Sequence, residues 1–379
     1  MREGVISYGF LSSAPPTRCG LATFTAALGS TLKVLGADVS LVRVLDDVGV
    51  PSTSSLRSIG ELVASDATSV DRATAALNSC DVAIVQHEYG LYGGRDGDDV
   101  LRVLDGLFVP SVAILHTVLQ RPTPHQVEVL NAVIARVDVA VVMTRGAATT
   151  LSQLHELGTT PIEIIPHGAA LSAGVHVKRE STRPRILTWG LIGPGKGIEW
   201  VIDAMARLHD LVPKPEYVIA GQTHPKVLAH EGDAYRQSLI RRVALNGVAD
   251  MVVFDNSYRD LASLSQLIDS ADVVVLPYDS KDQATSGVLV DAIAAGRPVV
   301  ATNFPHAVEL LATGAGMTVA HQDPAALASA LRRVLSEPIL GAAMADEARV
   351  LASGLSWEAV AIQFQGLTHR LFEFADSHA

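Results

Sequence analysis

Residues 277–302 read PYDSKDQATSGVLVDAIAAGRPVVAT. Just before this stretch, the apolar run Val273–Leu276 is typical of a strand buried on both faces. After a polar loop, Ser286 leads into apolar residues at helical spacing, and Gly296 ends that helix. Another apolar run then begins at Val299. The stretch therefore predicts a strand–loop–helix–strand unit of a parallel sheet.

The start of the predicted helix is a candidate anion site. Ser286, Gly287 and Val288 stand at its N-terminus, where backbone N–H groups have no partners within the helix and the helix dipole is positive. A phosphate group is a natural ligand for such a site. From this stretch alone, an ordinary βαβ unit with a turn-forming glycine explains the same residues equally well.

Length and composition favour a two-domain α/β protein. The chain has 379 residues, which is long for one hydrophobic core, and 48% of them are hydrophobic. A net charge of −11 gives no basic surface for nucleic acid. Cys19 and Cys80 are the only cysteines, too few for a zinc site. With no signal peptide and no apolar run long enough to be a transmembrane segment, we expect a cytoplasmic protein.

The alternation of strands and helices predicts two doubly wound domains. We expect an N-terminal domain at residues 1–170 and a second domain at residues 184–353. Between them, Ala169–Arg185 is rich in small and charged residues, as expected of a linker. The remaining residues, 354–379, predict a C-terminal helix.

Polar side chains follow the ends of several predicted strands in the first half of the chain. They are His87, Glu88, His116, Thr144 and His167. Ligands of open α/β sheets bind at the carboxyl ends of the strands, so this recurrence favours a cleft lined by these residues. Taken singly, a histidine after an apolar strand is more often a structural residue.

A second glycine-containing stretch, GLIGPGKG at residues 190–197, follows a predicted strand and precedes a helix. It fits the start of a P-loop, but Gly197 stands where the magnesium-binding Ser or Thr is needed. The alternative is a surface lysine at a helix start. Because a cation there opposes the helix dipole, Lys196 favours an anion lying between the two.

Both stretches resemble retaining glycosyltransferases of family 4, in the glycosyl transferases group 1, which have the GT-B fold. The matching residues are Gly190, Lys196, Gly197, Val201, Ile202 and Ala204 in one stretch, and Pro277, Gly296, Pro298, Val299, Val300 and Ala301 in the other. The resemblance implies two Rossmann-like, doubly wound domains facing across a cleft. It further implies that the second domain binds the nucleotide sugar and that the last helix crosses back to the first domain.

The resemblance also implies roles for individual residues. Lys196 would neutralise the donor diphosphate, Gln283 would contact the donor sugar, and Asp291 would accept hydrogen bonds from ribose hydroxyls. His116 would lie beside the donor sugar and acceptor, which makes it a catalytic candidate with Lys196 and Gln283. The other donor-binding candidates are Gly20, Gly190, Ser286, Gly287 and Val288, and the acceptor or sugar candidates are His87, Glu88, Thr144 and His167.

Two positions depart from the family pattern. Leu191 stands where an arginine is expected, so one of two cations is missing. Gln283 replaces a glutamate, and because an amide both donates and accepts, sugar binding survives this change more easily than acid–base chemistry. Residues 96–99, DGDD, contain an Asp-x-Asp pattern that binds manganese in glycosyltransferases of another fold, but helix capping is the favoured interpretation.

The expected activity is retaining transfer of a hexose, mannose or glucose, from a nucleotide sugar to a carbohydrate, lipid-linked or other hydroxyl acceptor. No metal and no resident cofactor are expected. A phosphorylase, a sugar-nucleotide epimerase and a non-catalytic nucleotide- or sugar-binding protein are alternatives, and no oligomeric state is assigned. Loops around Gly221–His224 and Phe254–Tyr258 are expected to select the base.

Overall fold

The chain folds into two compact α/β units. The computed structural model describes residues 4–17, 19–46, 51–64, 66–172, 182–257 and 259–378. Unit 1 comprises Met1–Gly168 and Trp357–Ala379, and unit 2 comprises Ala169–Ser356. The central part of the expected linker, residues 173–181, and Tyr258 of the expected base-selecting loop lie outside the described residues.

Unit 1 is built on a seven-stranded parallel sheet in the order β3-β2-β1-β4-β5-β6-β7. Its strands are β1 (Ser7–Ser12), β2 (Asp38–Leu45), β3 (Arg57–Val63), β4 (Val82–His87), β5 (Ser111–Leu115), β6 (Val139–Val142) and β7 (Ile162–Ile164). Its first helices are α1 (Gly20–Val34), α2 (Ser69–Leu77), α3 (Val100–Leu104), α4 (Pro124–Ile134) and α5 (Arg145–Leu154). Strands β4, β5 and β6 are buried at every position, which explains why most of their residues are apolar.

Unit 2 has a six-stranded parallel sheet in the order β10-β9-β8-β11-β12-β13. Its strands are β8 (Arg185–Trp189), β9 (Glu216–Ala220), β10 (Val252–Asp255), β11 (Val273–Leu276), β12 (Val299–Thr302) and β13 (Gly316–Val319). Its helices are α6 (Ile198–Met205), α7 (Pro225–Glu231), α8 (Ala234–Leu245), α9 (Leu261–Asp269), α10 (Gly287–Ala294), α11 (Pro305–Leu310), α12 (Pro324–Ser336) and α13 (Pro338–Ala352). The prediction of two doubly wound α/β domains is confirmed.

The final helix, α14 (Trp357–His378), packs against α1 of unit 1. Val360, Phe364 and Leu367 are buried in the same core as Phe24 on α1. This apolar contact places the end of the chain in unit 1, although unit 2 precedes it in sequence. Among the described residues, no helix combines the length and the apolar character that crossing a bilayer requires.

Strand β3 is one of the elements that the apolar pattern of the sequence does not predict. β3 reads RSIGELV and is exposed or half-buried over five of its seven positions, so it lacks the apolar run that marks the central strands. Helix α1 begins at Gly20, and α6 ends at Met205. Packing at a sheet edge and at helix ends decides these features.

Strand order reverses between β8 and β11 in unit 2, which opens a crevice at the carboxyl ends of these strands. Near this crevice, the backbone at Gly197 passes very close to the loop after β11, and the φ of Gly197 is +65°. A Cβ on Gly197 would lie 1.8 Å from the carbonyl oxygen of Pro277. The loops after β8 and β11 are therefore in direct backbone contact.

This close approach predicts that Gly197→Ala lowers the free energy of unfolding of unit 2 by about 3 kcal/mol or more. Gly195→Ala is the matched control, because Gly195 also has positive φ but its Cβ would meet nothing within 4 Å. The control should cost only the roughly 1–2 kcal/mol of left-handed strain. Denaturation followed by tryptophan fluorescence measures both, since Trp189 and Trp200 lie in unit 2. Equal losses in the two variants would contradict the contact with Pro277.

Candidate active site

The loops that follow β8 and β11 are joined to each other at the crevice of unit 2. The backbone N–H of Asp279 donates to the carbonyl oxygen of Gly195 at 3.0 Å, and the indole N–H of Trp200 donates to the Asp279 carboxylate at 2.8 Å. A Cβ on Gly190 would lie 4.0 Å from a methyl group of Val288. The two stretches singled out from sequence therefore form one site.

Lys196 lies in this site with its ammonium group over an aromatic ring. Its Nζ is 4.6 Å from the ring centroid of Tyr278, a cation–π distance. Burial lowers the pKa of Lys196, and among the described residues no carboxylate pairs with its ammonium group. A partly desolvated cation without a carboxylate partner is a favourable place for an anionic ligand.

Tyr278 is held rigidly beneath this lysine. Its ring is 4% exposed and stacks on Phe304 with 5.1 Å between centroids. Its carbonyl oxygen accepts hydrogen bonds from the Thr302 hydroxyl at 2.6 Å and from His321 Nδ1 at 2.8 Å. Burial, opposed by a hydrogen bond with Ser286, raises the pKa of the Tyr278 hydroxyl to about 12. Tyr278 is therefore a neutral support for the ammonium group.

The start of α10 offers two backbone N–H groups rather than three. Ser286 caps the helix, since its hydroxyl accepts from the N–H of Leu289 at 3.2 Å. Its own N–H donates to His306 Nδ1 at 2.8 Å, so the expectation that this N–H faces an anion is wrong. The N–H groups of Gly287 and Val288 have no acceptor among the described residues. They and the helix dipole remain for a ligand.

Gln283 and Asp291 flank this helix start. The Gln283 side-chain amide donates to the carbonyl oxygen of Thr285 at 2.6 Å, which fixes the side chain against its own loop. Asp291 lies one turn into α10, and no hydrogen-bond donor of the described residues reaches its carboxylate. Burial raises its pKa to about 7. A half-buried carboxylate that lacks donors is suited to accept hydrogen bonds from ligand hydroxyls.

In unit 1, two of the predicted histidines lie together. The rings of His116 and His167 both make edge contacts with Phe24, at 4.9 and 5.1 Å between centroids. His116 Nε2 is hydrogen-bonded to the side-chain oxygen of buried Gln86. Burial, with the neighbouring His167 and His87, lowers the pKa of His116 to about 3, and burial lowers that of His167 to about 4. Both imidazoles are therefore neutral at pH 7.

His87 and Glu88 are not an exposed loop pair. The His87 side chain is 1% exposed, and burial lowers its pKa to about 4. The Glu88 carboxylate accepts hydrogen bonds from the Thr117 hydroxyl at 2.5 Å and from the N–H of Tyr89 at 3.1 Å. Burial raises the pKa of Glu88. Their expected contact with an acceptor stays a prediction.

Thr144 and Gly20 both lie at helix starts of unit 1. Thr144 is 3% exposed and caps α5, accepting from the N–H of Ala147 at 3.0 Å, which is a sufficient structural reason for a threonine there. Gly20 is the first residue of α1, and Cys19 caps that helix through its sulfur. No described atom accepts a hydrogen bond from the N–H of Gly20.

The acidic run at residues 96–99 does not cap a helix through its side chains. Asp99 occupies the cap position of α3, but its carboxylate makes no cap hydrogen bond. Asp96, with a φ of +52°, instead bonds to His125 Nδ1 at 2.9 Å. The capping interpretation is wrong in this respect. Among the described residues, no three His, Cys, Asp or Glu side chains are grouped to hold a metal.

Residues 183–337 match the family model described as Glycosyl transferases group 1. The chain is 30% identical over 216 residues to a glycogen synthase of Mycobacterium tuberculosis, covering 56% of this chain and 49% of that protein. It is 28% identical over 187 residues to the alpha-D-kanosaminyltransferase of Streptomyces kanamyceticus, covering 49% of this chain and 45% of that protein. The chain thus spans about half the length of the curated relatives it matches. The predicted resemblance to the glycosyl transferases group 1 is confirmed.

Solved structures resemble the chain over nearly its whole length. Sucrose-phosphate synthase from Thermosynechococcus elongatus has a TM-score of 0.77 at 19% identity, covering 97% of this chain and 99% of that one. Anabaena HepE in complex with UDP-glucose has a TM-score of 0.72 at 17% identity, covering 96% of this chain and 100% of that one. These likenesses confirm the predicted GT-B fold class.

The ionisation of Asp291 predicts a stability that falls with rising pH. The folded protein releases this proton at about pH 7, above the ordinary value of 3.8, so the folded state binds more protons between these values and the free energy of unfolding falls across them. Asp291→Asn removes this loss. We expect the variant to be more stable than the wild type at pH 8 by about 2–4 kcal/mol, and to lose that advantage near pH 4.

Asp255→Asn is the control of opposite sign for Asp291→Asn. Burial of Asp255 is outweighed by hydrogen bonds from Ser257 and Arg259, which lower its pKa to about 2. Its ionised form therefore stabilises the fold above pH 4, and the variant should be less stable at pH 8. Urea denaturation at pH 4 and pH 8 measures both variants. If Asp291→Asn lowered the free energy of unfolding at pH 8, the ionised carboxylate of Asp291 would not be destabilising in the folded protein.

Proposed function

We propose that this chain is a glycosyltransferase whose unit 2 binds a nucleotide-sugar donor at the crevice between β8 and β11. One observation supports this proposal most directly. Lys196 lies in the same site as the N–H groups of Gly287 and Val288, and among the described residues neither a carboxylate pairs with the lysine nor an acceptor binds these N–H groups. All three lie within the segment that matches the glycosyl transferases group 1. A diphosphate is an anion that these groups can neutralise.

In the proposed reaction, the bond between C1 of the sugar and the diphosphate oxygen breaks as the acceptor oxygen bonds to C1. Negative charge grows on the departing diphosphate. Lys196 and the N–H groups of Gly287 and Val288 would stabilise that charge, and because they are held in place before the reaction, little reorganisation is needed. This arrangement supports a mechanism without a metal ion or a resident cofactor.

We further propose retention of configuration at C1. The acceptor would approach from the face that the diphosphate leaves, and a diphosphate oxygen would take the proton of the acceptor hydroxyl. No protein base is then required. His116, neutral at pH 7, would hydrogen-bond to sugar hydroxyls instead of supplying a proton.

The proposed donor sugar is a hexose, glucose or mannose, and the proposed acceptor is a hydroxyl of a carbohydrate or of a lipid-linked sugar. The names of the similar proteins support this class, since they include a glycogen synthase and a protein bound to UDP-glucose. Asp291 would accept hydrogen bonds from the ribose hydroxyls of the nucleotide. We propose a cytoplasmic site of action.

A nucleotide-binding protein without turnover is the second candidate. One observation favours it: Gln283 replaces a glutamate of the family pattern, and its amide is already bound to Thr285.

Incubation with UDP-glucose, GDP-mannose and related donors, with and without maltose or mannose acceptors, separates the candidates by nucleotide release. Release that requires an acceptor supports transfer. Binding without release supports the second candidate, and turnover of a glycoside with inorganic phosphate would indicate a phosphorylase.

The proposed charge stabilisation predicts that Lys196→Ala lowers kcat about 100-fold or more, because one group that stabilises the leaving diphosphate is lost. Lys214→Ala is the control: this lysine pairs with Asp250 on the surface at the opposite, amino-terminal side of β9. It should retain the wild-type kcat. Steady-state nucleotide release measures both, and near wild-type turnover in Lys196→Ala would remove Lys196 from the mechanism.

A further inference from the structure

Residues 302–306, which run from the end of β12 into the first turn of α11, contact the loop after β11 and the start of α10. Thr302 and Phe304 hold Tyr278, through a hydrogen bond and a stacked ring. His306 holds the start of α10. None of these three residues was singled out from sequence as a site residue. Of the three, only His306 forms a hydrogen bond with the start of α10, where its Nδ1 accepts one from the Ser286 N–H.

His306 joins both ends of the loop segment 283–286. Its side chain is 5% exposed, and Nδ1 lies 2.8 Å from the backbone nitrogen of Ser286. Its own backbone N–H donates to the carbonyl oxygen of Gln283 at 3.3 Å. Gly287 and Val288, whose N–H groups lie at the start of α10, follow this segment directly in the chain.

The chemistry of this contact fixes the state of the imidazole. A backbone N–H can only donate, so Nδ1 of His306 must present a lone pair to Ser286. The ring proton then lies on Nε2. An aliphatic side chain cannot make this bond, and it would leave the buried N–H of Ser286 without an acceptor, which is costly.

The bond also decides which N–H groups face a ligand. The N–H of Ser286 donates a hydrogen bond to His306, and the N–H of Leu289 donates one to the Ser286 hydroxyl. Gly287 and Val288 are left, adjacent to Gly190 and to the loop that carries Lys196. Without an acceptor at position 306, the Ser286 N–H would lose the hydrogen bond that fixes its direction.

We propose that His306 is a positioning residue that holds segment 283–286 so that the Gly287 and Val288 N–H groups and the Gln283 side chain are in place before the donor binds. The inference rests on the proposed function for its ligand, a nucleoside diphosphate, but the contact itself exists without one. His306 touches no ligand atom in this account. It acts through the backbone of Ser286.

Three substitutions test the position of the acceptor atom. Asn can place its side-chain oxygen near the Nδ1 position, whereas the longer Gln places it near Nε2, and Leu has no acceptor. We expect His306→Asn to retain the loop, and His306→Gln and His306→Leu to release it. His209→Leu is the matched control, because His209 is exposed and its Nδ1 bonds to Ala206 instead.

The first measurement is amide hydrogen exchange across residues 283–290 of the ligand-free protein. His306→Leu and His306→Gln should exchange about tenfold faster there, and His306→Asn and the control should match the wild type. Equal protection in all variants would overturn the positioning role. Faster exchange in His306→Asn as well as in the other two variants would also overturn it, because the effect would then come from loss of the imidazole ring and not from the position of the acceptor atom.

The second measurement is calorimetric titration with UDP and GDP. The Leu and Gln variants should bind the tighter of the two about tenfold more weakly, and the Asn variant within about threefold of the wild type. Weakening by His306→Leu that Asn does not restore would overturn the inference. If the wild type binds no nucleoside diphosphate, the proposed function fails, whereas the exchange experiment still decides whether His306 holds the loop.

Discussion

The site of unit 2 depends on a lysine ammonium group that is partly removed from water and has no carboxylate partner among the described residues. Lys196 faces the ring of Tyr278, whose attraction for a cation is weaker than that of a carboxylate. The protein therefore holds a cation at some cost instead of neutralising it. An anionic ligand can remove that cost, and the start of α10 lies in the same site with two unused N–H groups.

The two units differ in the charge that they hold at their strand ends. In unit 1, burial keeps His87, His116 and His167 neutral at pH 7, and their lowered pKa values make them hydrogen-bonding groups without charge. In unit 2, the basic side chain of Lys196 lies over the ring of Tyr278. The strand ends of unit 1 therefore offer uncharged hydrogen-bonding groups.

The loops of the candidate site in unit 2 are fixed by hydrogen bonds between neighbouring parts of the sheet. The loop after β11 is fixed to the loop after β8 by Asp279 and Trp200, and to the first turn of α11 by His306. The segments that follow three neighbouring strands, β8, β11 and β12, thus contact one another at the carboxyl ends of the sheet. A backbone held in this way has its dipoles oriented in advance, which is how a protein stabilises a growing charge without large reorganisation.

From the amino-acid sequence alone, the alternating α/β pattern, the two domains, and the lysine loop and the small-residue helix start as separate features could be predicted. These follow from local rules: apolar runs mark buried strands, and Ser286 before Gly287 marks a helix start. Only the tertiary structure decided that the Ser286 N–H is occupied by His306, that Asp96 bonds to His125 rather than capping a helix, and that β3 exists at the sheet edge. Each of these depends on residues brought together by separate crossings of the sheet, and no local periodicity records such contacts.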